Sequence, residues 1–188
     1  MPHVAILDAC VLYPAPLRDF LVHLALTDAF HARWTDAIHD EWIRNLLLRR
    51  KDLKPEQLDR TRLLMNSHIR DCLVVGYEPL IDSVTLPDRD DRHVLAAAIH
   101  AQADTIITFN IRDFPNRILH RHGIAAMHPD AFCEKLLETD AALMCLALRR
   151  LRVQLKNPPK TAEEVLATLH DNGLARTAAS LAFFSDQL

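Results

Sequence analysis

Short runs of mostly apolar residues recur at four places along the chain. Each run is four or five residues long, which is typical of a strand buried on both faces of a parallel sheet. We therefore predict four strands, at Val4–Leu7, 72–75, 105–109 and 124–127.

Between and after these runs, apolar residues recur at the three- and four-residue spacing of amphipathic helices. The predicted helices cover residues 17–30, 35–50, 55–70, 91–100 and 129–152. Thr35 or Asp36 is suited to cap the second helix, and Pro55 is suited to the first turn of the third. Because parallel neighbouring strands need crossover connections, this alternation predicts a parallel α/β sandwich in which helix dominates.

A segment with two adjacent prolines, residues 156–160, separates the last part of the chain. Beyond it, Thr161 and Glu164 have the spacing of a capping box and predict the start of a helix. Residues 171–173 end that helix before a last one that runs through Phe184. We predict a main domain over residues 1–155 and a helical hairpin over residues 156–188, which must pack on the main domain or on a partner because it is too small to fold alone.

The composition excludes several classes of function. The chain has 188 residues, 49% of them hydrophobic, which suffices for one sizeable core. Its three glycines form neither a dinucleotide-binding loop nor a P-loop. The four cysteines lack the spacing of zinc sites and the density of a disulfide scaffold, so we expect reduced thiols.

Charge and hydropathy bear on location and partners. The N-terminus lacks the basic segment of a signal peptide, and no apolar stretch approaches the roughly 18 residues that a membrane span needs. We therefore expect a cytoplasmic protein without membrane contact. The net charge of −3 argues against non-specific coating of duplex nucleic acid.

Acidic residues occur at the edges of the predicted elements, far apart in sequence. They are Asp8, Glu41, the group Asp88, Asp90 and Asp91, and Asp113. Asp8 and Asp113 follow strands, and ligands of parallel α/β folds bind beyond the carboxyl ends of the strands. Glu41 lies at the border of the apolar stripe of its helix.

Each acid alone also has a structural explanation as a turn, cap or solvated helix residue. If the acids converge, their mutual repulsion requires a cation, and oxygen ligands select Mg²⁺ or Mn²⁺. One or two such ions support the hydrolysis of a phosphodiester by metal-activated water. The carboxylates therefore indicate a magnesium site rather than the histidine-rich site that zinc would favour.

At these acids the chain resembles the PIN-domain ribonucleases, in particular the VapC-type toxins of bacterial toxin–antitoxin modules. The resemblance rests on four segments that follow one another in the family's order within roughly the first 130 residues. They are AILDACVL at residues 5–12, DEW at 40–42, LPDRDDRHVLAAA at 86–98 and IITFNIRDFP at 106–115.

The resemblance implies a three-layer α/β/α fold, a Mg²⁺-dependent endoribonuclease, inhibition by a cognate antitoxin, and a homodimer. By position, it implies that Asp8 and Asp91 are metal ligands and that Glu41 is a supporting catalytic acid. Many relatives have Asp where this chain has Asn110. We expect Asp113 to supply the missing charge as a further catalytic and metal-binding acid, while Asn110 orients water or ligand.

Four further side chains are candidates near the predicted site. Thr108 is placed to hydrogen-bond one of the acids. Asp90 is a possible extra contributor, although the change of side-chain direction at a helix start disfavours a common orientation with Asp91. Arg112 and Arg44 are candidates to hold RNA phosphates beyond the scissile one; a solvated surface explains Arg112 about as well and Arg44 better.

Two alternative functions stay open. One is a DNA-directed or flap-type metal nuclease. The other is a catalytically weak PIN scaffold that binds RNA or a partner protein, because Asn110 is not an acid. Cys10 is not expected to act as a nucleophile, since nearby acids raise the pKa of a thiol, and its presence two residues after Asp8 also argues against an aspartyl-phosphate phosphatase.

Overall fold

The computed structural model describes residues 3–188. Within these residues there are four short strands: β1 (Val4–Leu7), β2 (His31–Arg33), β3 (Thr105–Ile107) and β4 (Ala125–Met127). They form one parallel sheet in the order β2-β1-β3-β4, in which Ile6 of β1 is paired with Arg33 and with Ile106. The central strands β1 and β3 are almost fully buried, which explains why their sequences are mostly apolar rather than alternating.

Helices make up most of the connections between the strands. The α-helices are α1 (Ala9–Leu12), α2 (Ala15–Ala25), α3 (Asp36–Arg49), α4 (Pro55–His68), α5 (Arg92–His100), α6 (Asn116–Leu119), α7 (Pro129–Thr139), α8 (Ala141–Gln154), α9 (Ala162–Asp171) and α10 (Ala175–Leu181). Short 3-10 helices occupy Glu78–Ser83, Ile111–Asp113, His120–His122 and Ala182–Gln187.

The fold is a three-layer α/β/α sandwich, as the sequence predicted, with additional helices at the C-terminus. Helix α5 packs on the central strands β1 and β3, and α2 packs on β2 and α8. The core includes the fully buried rings of Phe20, Trp34 and Trp42. All four cysteines are free thiols, and no helix within residues 3–188 has the length and apolar character to cross a membrane.

Two predicted helix starts are confirmed by their capping contacts. The hydroxyl of Thr35 accepts a hydrogen bond from the backbone N–H of Ile38 at 3.1 Å, so Thr35 rather than Asp36 is the cap of α3. At the start of α9, Thr161 and Glu164 form the reciprocal pair of a capping box, with distances of 3.2 and 2.8 Å. Both capping contacts could be predicted from the sequence because their partners are only three residues apart.

Three predictions of secondary structure were wrong in part. The helix predicted over residues 17–30 ends at Ala25, because the chain turns through Asp28 at φ +59° to enter the strand β2. Residues 72–75 form no strand, since only Leu73 makes a single bridge, to Trp34. The helix predicted over residues 129–152 is two helices, because Asp140 ends α7 and caps α8 by accepting a hydrogen bond from the N–H of Leu143.

The C-terminal helices are joined to α7 by a buried carboxylate. Helix α10 has no side-chain cap from its own N-cap residue. Instead Asp130, in the first turn of α7, accepts hydrogen bonds from the N–H and hydroxyl of Thr177 (2.8 and 2.7 Å) and from the N–H of Arg176 (3.0 Å). Burial opposes the ionisation of Asp130, but these hydrogen bonds outweigh it and hold its pKa below the usual value. The boundary predicted after residue 155 therefore runs through a set of packed helices.

Candidate active site

The candidate site lies at the carboxyl ends of the two central strands. The sheet extends from β1 to β2 on one side and from β3 to β4 on the other, so the order reverses between β1 and β3. Open α/β sheets bind their ligands at such a reversal. Asp8 directly follows β1, and its N–H donates to the carbonyl of Ile107 at 3.1 Å. Thr108 directly follows β3, so both residues stand at this point.

Three donors hold the carboxylate of Asp8, which is 3% exposed. Its Oδ1 accepts a hydrogen bond from the backbone N–H of Ala9 at 2.6 Å and so caps α1. Its Oδ2 accepts from the hydroxyl of Thr108 at 2.7 Å and from the thiol of Cys10 at 3.1 Å. Because both oxygens are engaged, the orientation of this carboxylate is fixed.

The surroundings of Asp8 oppose its ionisation and that of Cys10. Burial raises the pKa of Asp8, and the negative charge of Glu41 adds to the rise. The hydrogen bonds to Asp8 offset this effect only in part. Burial, followed by the charge of Asp8, raises the pKa of the Cys10 thiol to about 12. Cys10 is therefore a neutral hydrogen-bond donor, in agreement with the expectation that it is not a nucleophile.

The charges of the separated acids act together on the carboxylate of Asp91. Asp91 is half-buried at the start of α5, and its side chain does not cap the helix. Its pKa is raised to about 7, first by burial and then by the charges of Asp8, Asp88, Asp113 and Glu41. A helix N-terminus ordinarily favours a negative charge. Burial and repulsion from four neighbouring acids outweigh that effect here.

Asp113 and Asn110 occupy different positions around this centre. Asp113 ends the 3-10 helix Ile111–Asp113, is half-buried, and acts on the ionisation of Asp91. Asn110 is exposed, and its backbone N–H donates to the hydroxyl of Thr108 at 2.9 Å. Asp113 thus brings a charge close to Asp91, while Asn110 supports the hydroxyl that holds Asp8.

The three acids before α5, Asp88, Asp90 and Asp91, differ in their contacts. Asp90 is exposed, and it is not among the charges that raise the pKa of Asp91. Asp88 accepts a hydrogen bond from the N–H of Asp90 at 2.8 Å, which is the turn contact of an ordinary loop residue. The charge of Asp88 nevertheless acts on Asp91, so this residue belongs to both the turn and the acidic cluster.

His93 is a residue of the site that the sequence did not reveal. Its Nε2 lies 3.6 Å from Oε2 of Glu41, and the two side chains are 18% and 32% exposed. The Nδ1 of His93 is buried without a hydrogen-bond partner among the described residues. The available signal was its position two residues after Asp91, on the helix that packs on the central strands.

An open groove of about 450 Å³ includes Glu41 and extends along α3. Four residues of α3 share one face because they follow one another at helical spacing, and they line one wall: Glu41, Asn45, Leu48 and Arg49. The other wall consists of Ala9, Cys10, Tyr13 and Asn110. Sequence reasoning missed Tyr13, which stands at the end of α1.

The two arginines proposed to bind RNA do not line this groove. Arg44 is on another side of α3, where it lines a separate hollow with Asp40 and Asp59. Arg112 is exposed next to Asp113 and does not line the groove. The cation that lines the groove is Arg49, which lies in the same basic end of the helix as Arg44.

The acidic cluster has no strong cationic partner. Across residues 3–188, no Lys or Arg side chain forms an ion pair with Asp8, Asp91 or Asp113, and the pair of His93 with Glu41 is the nearest one. Nor do any three His, Cys, Asp or Glu side chains of these residues meet closely enough to hold one metal ion. Mg²⁺ binds through one or two carboxylates and keeps several waters. Carboxylate oxygens without a neutralising cation are the donors that such an ion prefers, so the chemistry of the cluster fits Mg²⁺.

Comparison with protein families decides what this architecture is. The family described as "PIN domain" matches residues 4–112, which is more than half of the chain. The chain belongs to the PIN-domain family. Nucleases of this family generally use divalent metal ions. The family described as "VapC50 C-terminal domain" matches residues 129–182, from the start of α7 to the residue after α10.

A curated relative is similar to part of the PIN-domain chain. The protein named "Putative ribonuclease VapC50" from Mycobacterium tuberculosis is 44% identical over 57 residues, which is 30% of this chain and 33% of the relative. The match thus spans about a third of the relative's length. No solved structure matches the chain.

Proposed function

We propose that this protein is a Mg²⁺-dependent endoribonuclease that hydrolyses RNA phosphodiester bonds and acts as the toxin of a type II toxin–antitoxin system. The observation that carries the proposal is the convergence of acids on Asp91, whose pKa they help to raise to about 7 without a neutralising cation. An arrangement that destabilises the folded protein in this way is typical of a site built to receive a cation.

Under this proposal the residues of the site have separate tasks. Asp8 and Asp91 hold the ion, and Thr108 and Cys10 fix the carboxylate of Asp8 for that task. Glu41 and Asp113 are further catalytic acids, which act on the water or on the second side of the phosphate. Bound Mg²⁺, or Mn²⁺ in its place, activates a water and stabilises the leaving oxygen of a phosphodiester.

The comparisons support the substrate and the biological role. The name of the curated relative describes a ribonuclease, and the C-terminal helices match a family named after the same relative. We propose by this similarity that RNA is the substrate and that a cognate antitoxin protein inhibits the enzyme. A toxin that cleaves cellular RNA acts in the cytoplasm, and we propose that location and a homodimer for this chain.

One set of cleavage assays tests the enzymatic proposal. The purified protein is incubated with labelled single-stranded RNA or DNA of the same sequence, in Mg²⁺ or in EDTA. We expect RNA cleavage in Mg²⁺ and none in EDTA. Asp8→Asn should lower the rate at least about 100-fold, because it removes a charge from the proposed ligand pair. Asp186→Asn, a change in an exposed C-terminal acid, serves as the matched control.

The same assays separate the alternatives. Preferential cleavage of DNA would favour the flap-type or DNA-directed nuclease. Binding of RNA without metal-dependent cleavage would favour the catalytically weak scaffold. Cleavage by a folded Asp8→Asn variant at the wild-type rate would refute the proposed site.

The toxin role needs a test in cells. Expression of the wild-type chain in a bacterial host should arrest growth, and Asp8→Asn should relieve the arrest. Co-expression of a small open reading frame adjacent to the gene should also relieve it if that frame encodes the antitoxin. Harmless expression of the active wild-type enzyme would count against the toxin role, and sedimentation of the purified protein tests the homodimer.

A further inference from the structure

The groove beside the acids has a lining that metal-dependent hydrolysis alone does not require. It brings together an aromatic ring, two uncharged amides and one cation: Tyr13, Asn45, Asn110 and Arg49. Tyr13 is half-buried, and none of the aromatic pairs of the described residues includes it. Aromatic stacking within the described chain therefore does not engage this ring, which lines an open groove.

Charge changes sign along the groove. Glu41, at one end, borders the acidic cluster. Arg49 follows it by two turns on the same face of α3, which places it about 12 Å further along the helix axis. A cation held by the acids would favour the scissile phosphate at that end, and the guanidinium of Arg49 suits a phosphate further along the same strand. Asn45 lies between Glu41 and Arg49 on this face of α3, and Tyr13 and Asn110 line the opposite wall.

We propose, on the basis of the nuclease function above, that this groove is a subsite for one unpaired nucleotide next to the scissile phosphate. Its base stacks on Tyr13, the amides of Asn45 and Asn110 face the base edge, and a neighbouring phosphate binds Arg49. A base inside a duplex is stacked between its neighbours and is not free to enter such a groove. The subsite therefore selects single-stranded RNA over duplex RNA.

Substitution of Tyr13 tests the stacking contact. Binding is measured by fluorescence anisotropy in EDTA with Asp91→Asn protein, on a labelled unstructured RNA of ten nucleotides and on a hairpin RNA. Tyr13→Leu should weaken binding of the single strand about 5- to 150-fold, the range for loss of one stacked base. Tyr13→Phe should keep the affinity, and Phe183→Leu, which removes an aromatic ring that is 89% exposed outside the groove, should not change it.

Substitution of Arg49 tests the phosphate contact. Arg49→Ala should weaken binding of the single strand and reduce the slope of log affinity against log salt by about 0.7, which corresponds to one phosphate contact. Arg60→Ala removes an equal charge from an exposed position of α4 outside the groove and should leave both quantities unchanged. An unchanged salt slope in Arg49→Ala would overturn the assignment of this residue.

RNAs that lack the base at one position at a time identify the nucleotide in the groove. At that position, loss of the base should weaken binding as much as Tyr13→Leu does, and the two changes together should cost no more than either alone. Wild-type affinity of a folded Tyr13→Leu protein, or additive losses at every position, would overturn the subsite.

Cleavage of the same RNA by the wild-type protein in Mg²⁺ separates the subsite from the proposed function. If the protein cleaves the RNA but its binding does not depend on Tyr13, the subsite is refuted and the proposed nuclease function is supported. Tyr13-dependent binding without cleavage supports the subsite and refutes the nuclease.

Discussion

Neutralising Asp91 should stabilise the metal-free protein, although it should abolish the proposed activity. The substitution Asp91→Asn keeps the size and polarity of the side chain and removes the charge on which four other acids act. Most substitutions of half-buried polar residues destabilise a fold, so the direction expected here is unusual. It follows from the burial of the charge and from the repulsion by these acids, rather than from packing.

The size of the effect follows from the pKa of Asp91. Each pKa unit corresponds to about 1.4 kcal/mol, so a rise from 3.8 to about 7 sets an upper bound of about 4 kcal/mol above pH 7. Because the side chain is only half-buried, solvent screens part of the repulsion, and we expect a gain of about 1–2 kcal/mol. For a chain of this length, such a gain raises the melting temperature by about 2–8 °C.

The gain should depend on pH in a defined way. Between about pH 4 and pH 7, the folded wild-type protein keeps a proton that the unfolded chain has released. Wild-type stability contributed by Asp91 is therefore lost as the pH rises through this range. Urea unfolding in EDTA should show almost equal stability of the variant and the wild type near pH 4, and the full difference above pH 7.

A control variant and a measurement with Mg²⁺ test this prediction further. Asp90→Asn removes a charge from the neighbouring exposed position, which does not act on Asp91, and should change stability little at any pH. Mg²⁺ should stabilise the wild-type protein and not Asp91→Asn, because only the wild type keeps the ligand pair. Two results would refute the reasoning. One is a folded Asp91→Asn protein that is no more stable than the wild type at pH 8, and the other is a stability gain that is the same at pH 4 and pH 8.

Three further predictions concern the same contacts. Because Asp91 must release its proton to bind a cation, Mg²⁺ affinity measured by calorimetry should fall about tenfold for each pH unit below 7, and a flat profile would contradict this. Thr108→Val removes the donor to Asp8 and should lower Mg²⁺ affinity and RNA cleavage about 10-fold, whereas Thr108→Ser should retain both; equal loss in the two variants would point to packing instead. Asp130→Ala leaves the donors of Thr177 and the start of α10 without their acceptor and should lower the free energy of unfolding in urea by about 2–3 kcal/mol. Wild-type stability of this variant would show that the contact is incidental.

The strands show which part of the fold the sequence could predict. β1 and β3 were recognisable because central strands are buried on both faces, so their own residues are mostly apolar. β2 was not, because His31 and Arg33 are polar and the strand exists through its backbone pairing with β1 at the sheet edge. Residues 72–75 have the composition of a buried strand, yet the sheet reaches them only through the single bridge of Leu73.

The site shows a similar division. The positions of Asp8, Asp91 and Asp113 next to predicted elements indicated where they would meet, because strand ends and helix starts share one edge of the sheet. The contacts of His93 and Tyr13 depend instead on how α5 and α1 pack against their neighbours. Such packing joins residues that are distant in sequence, and no local pattern encodes it.

The hydrogen bonds of Asp130 bear on how this chain can be recombined with others. Transfer of residues 156–188 alone to another PIN domain would leave the N-terminus of α10 without its acceptor, and the donor chain would keep a buried carboxylate with no donors. A graft that begins at Pro129 carries both halves of the contact. A unit that keeps this contact intact therefore begins no later than Asp130, as does the stretch 129–182 that the separate family covers.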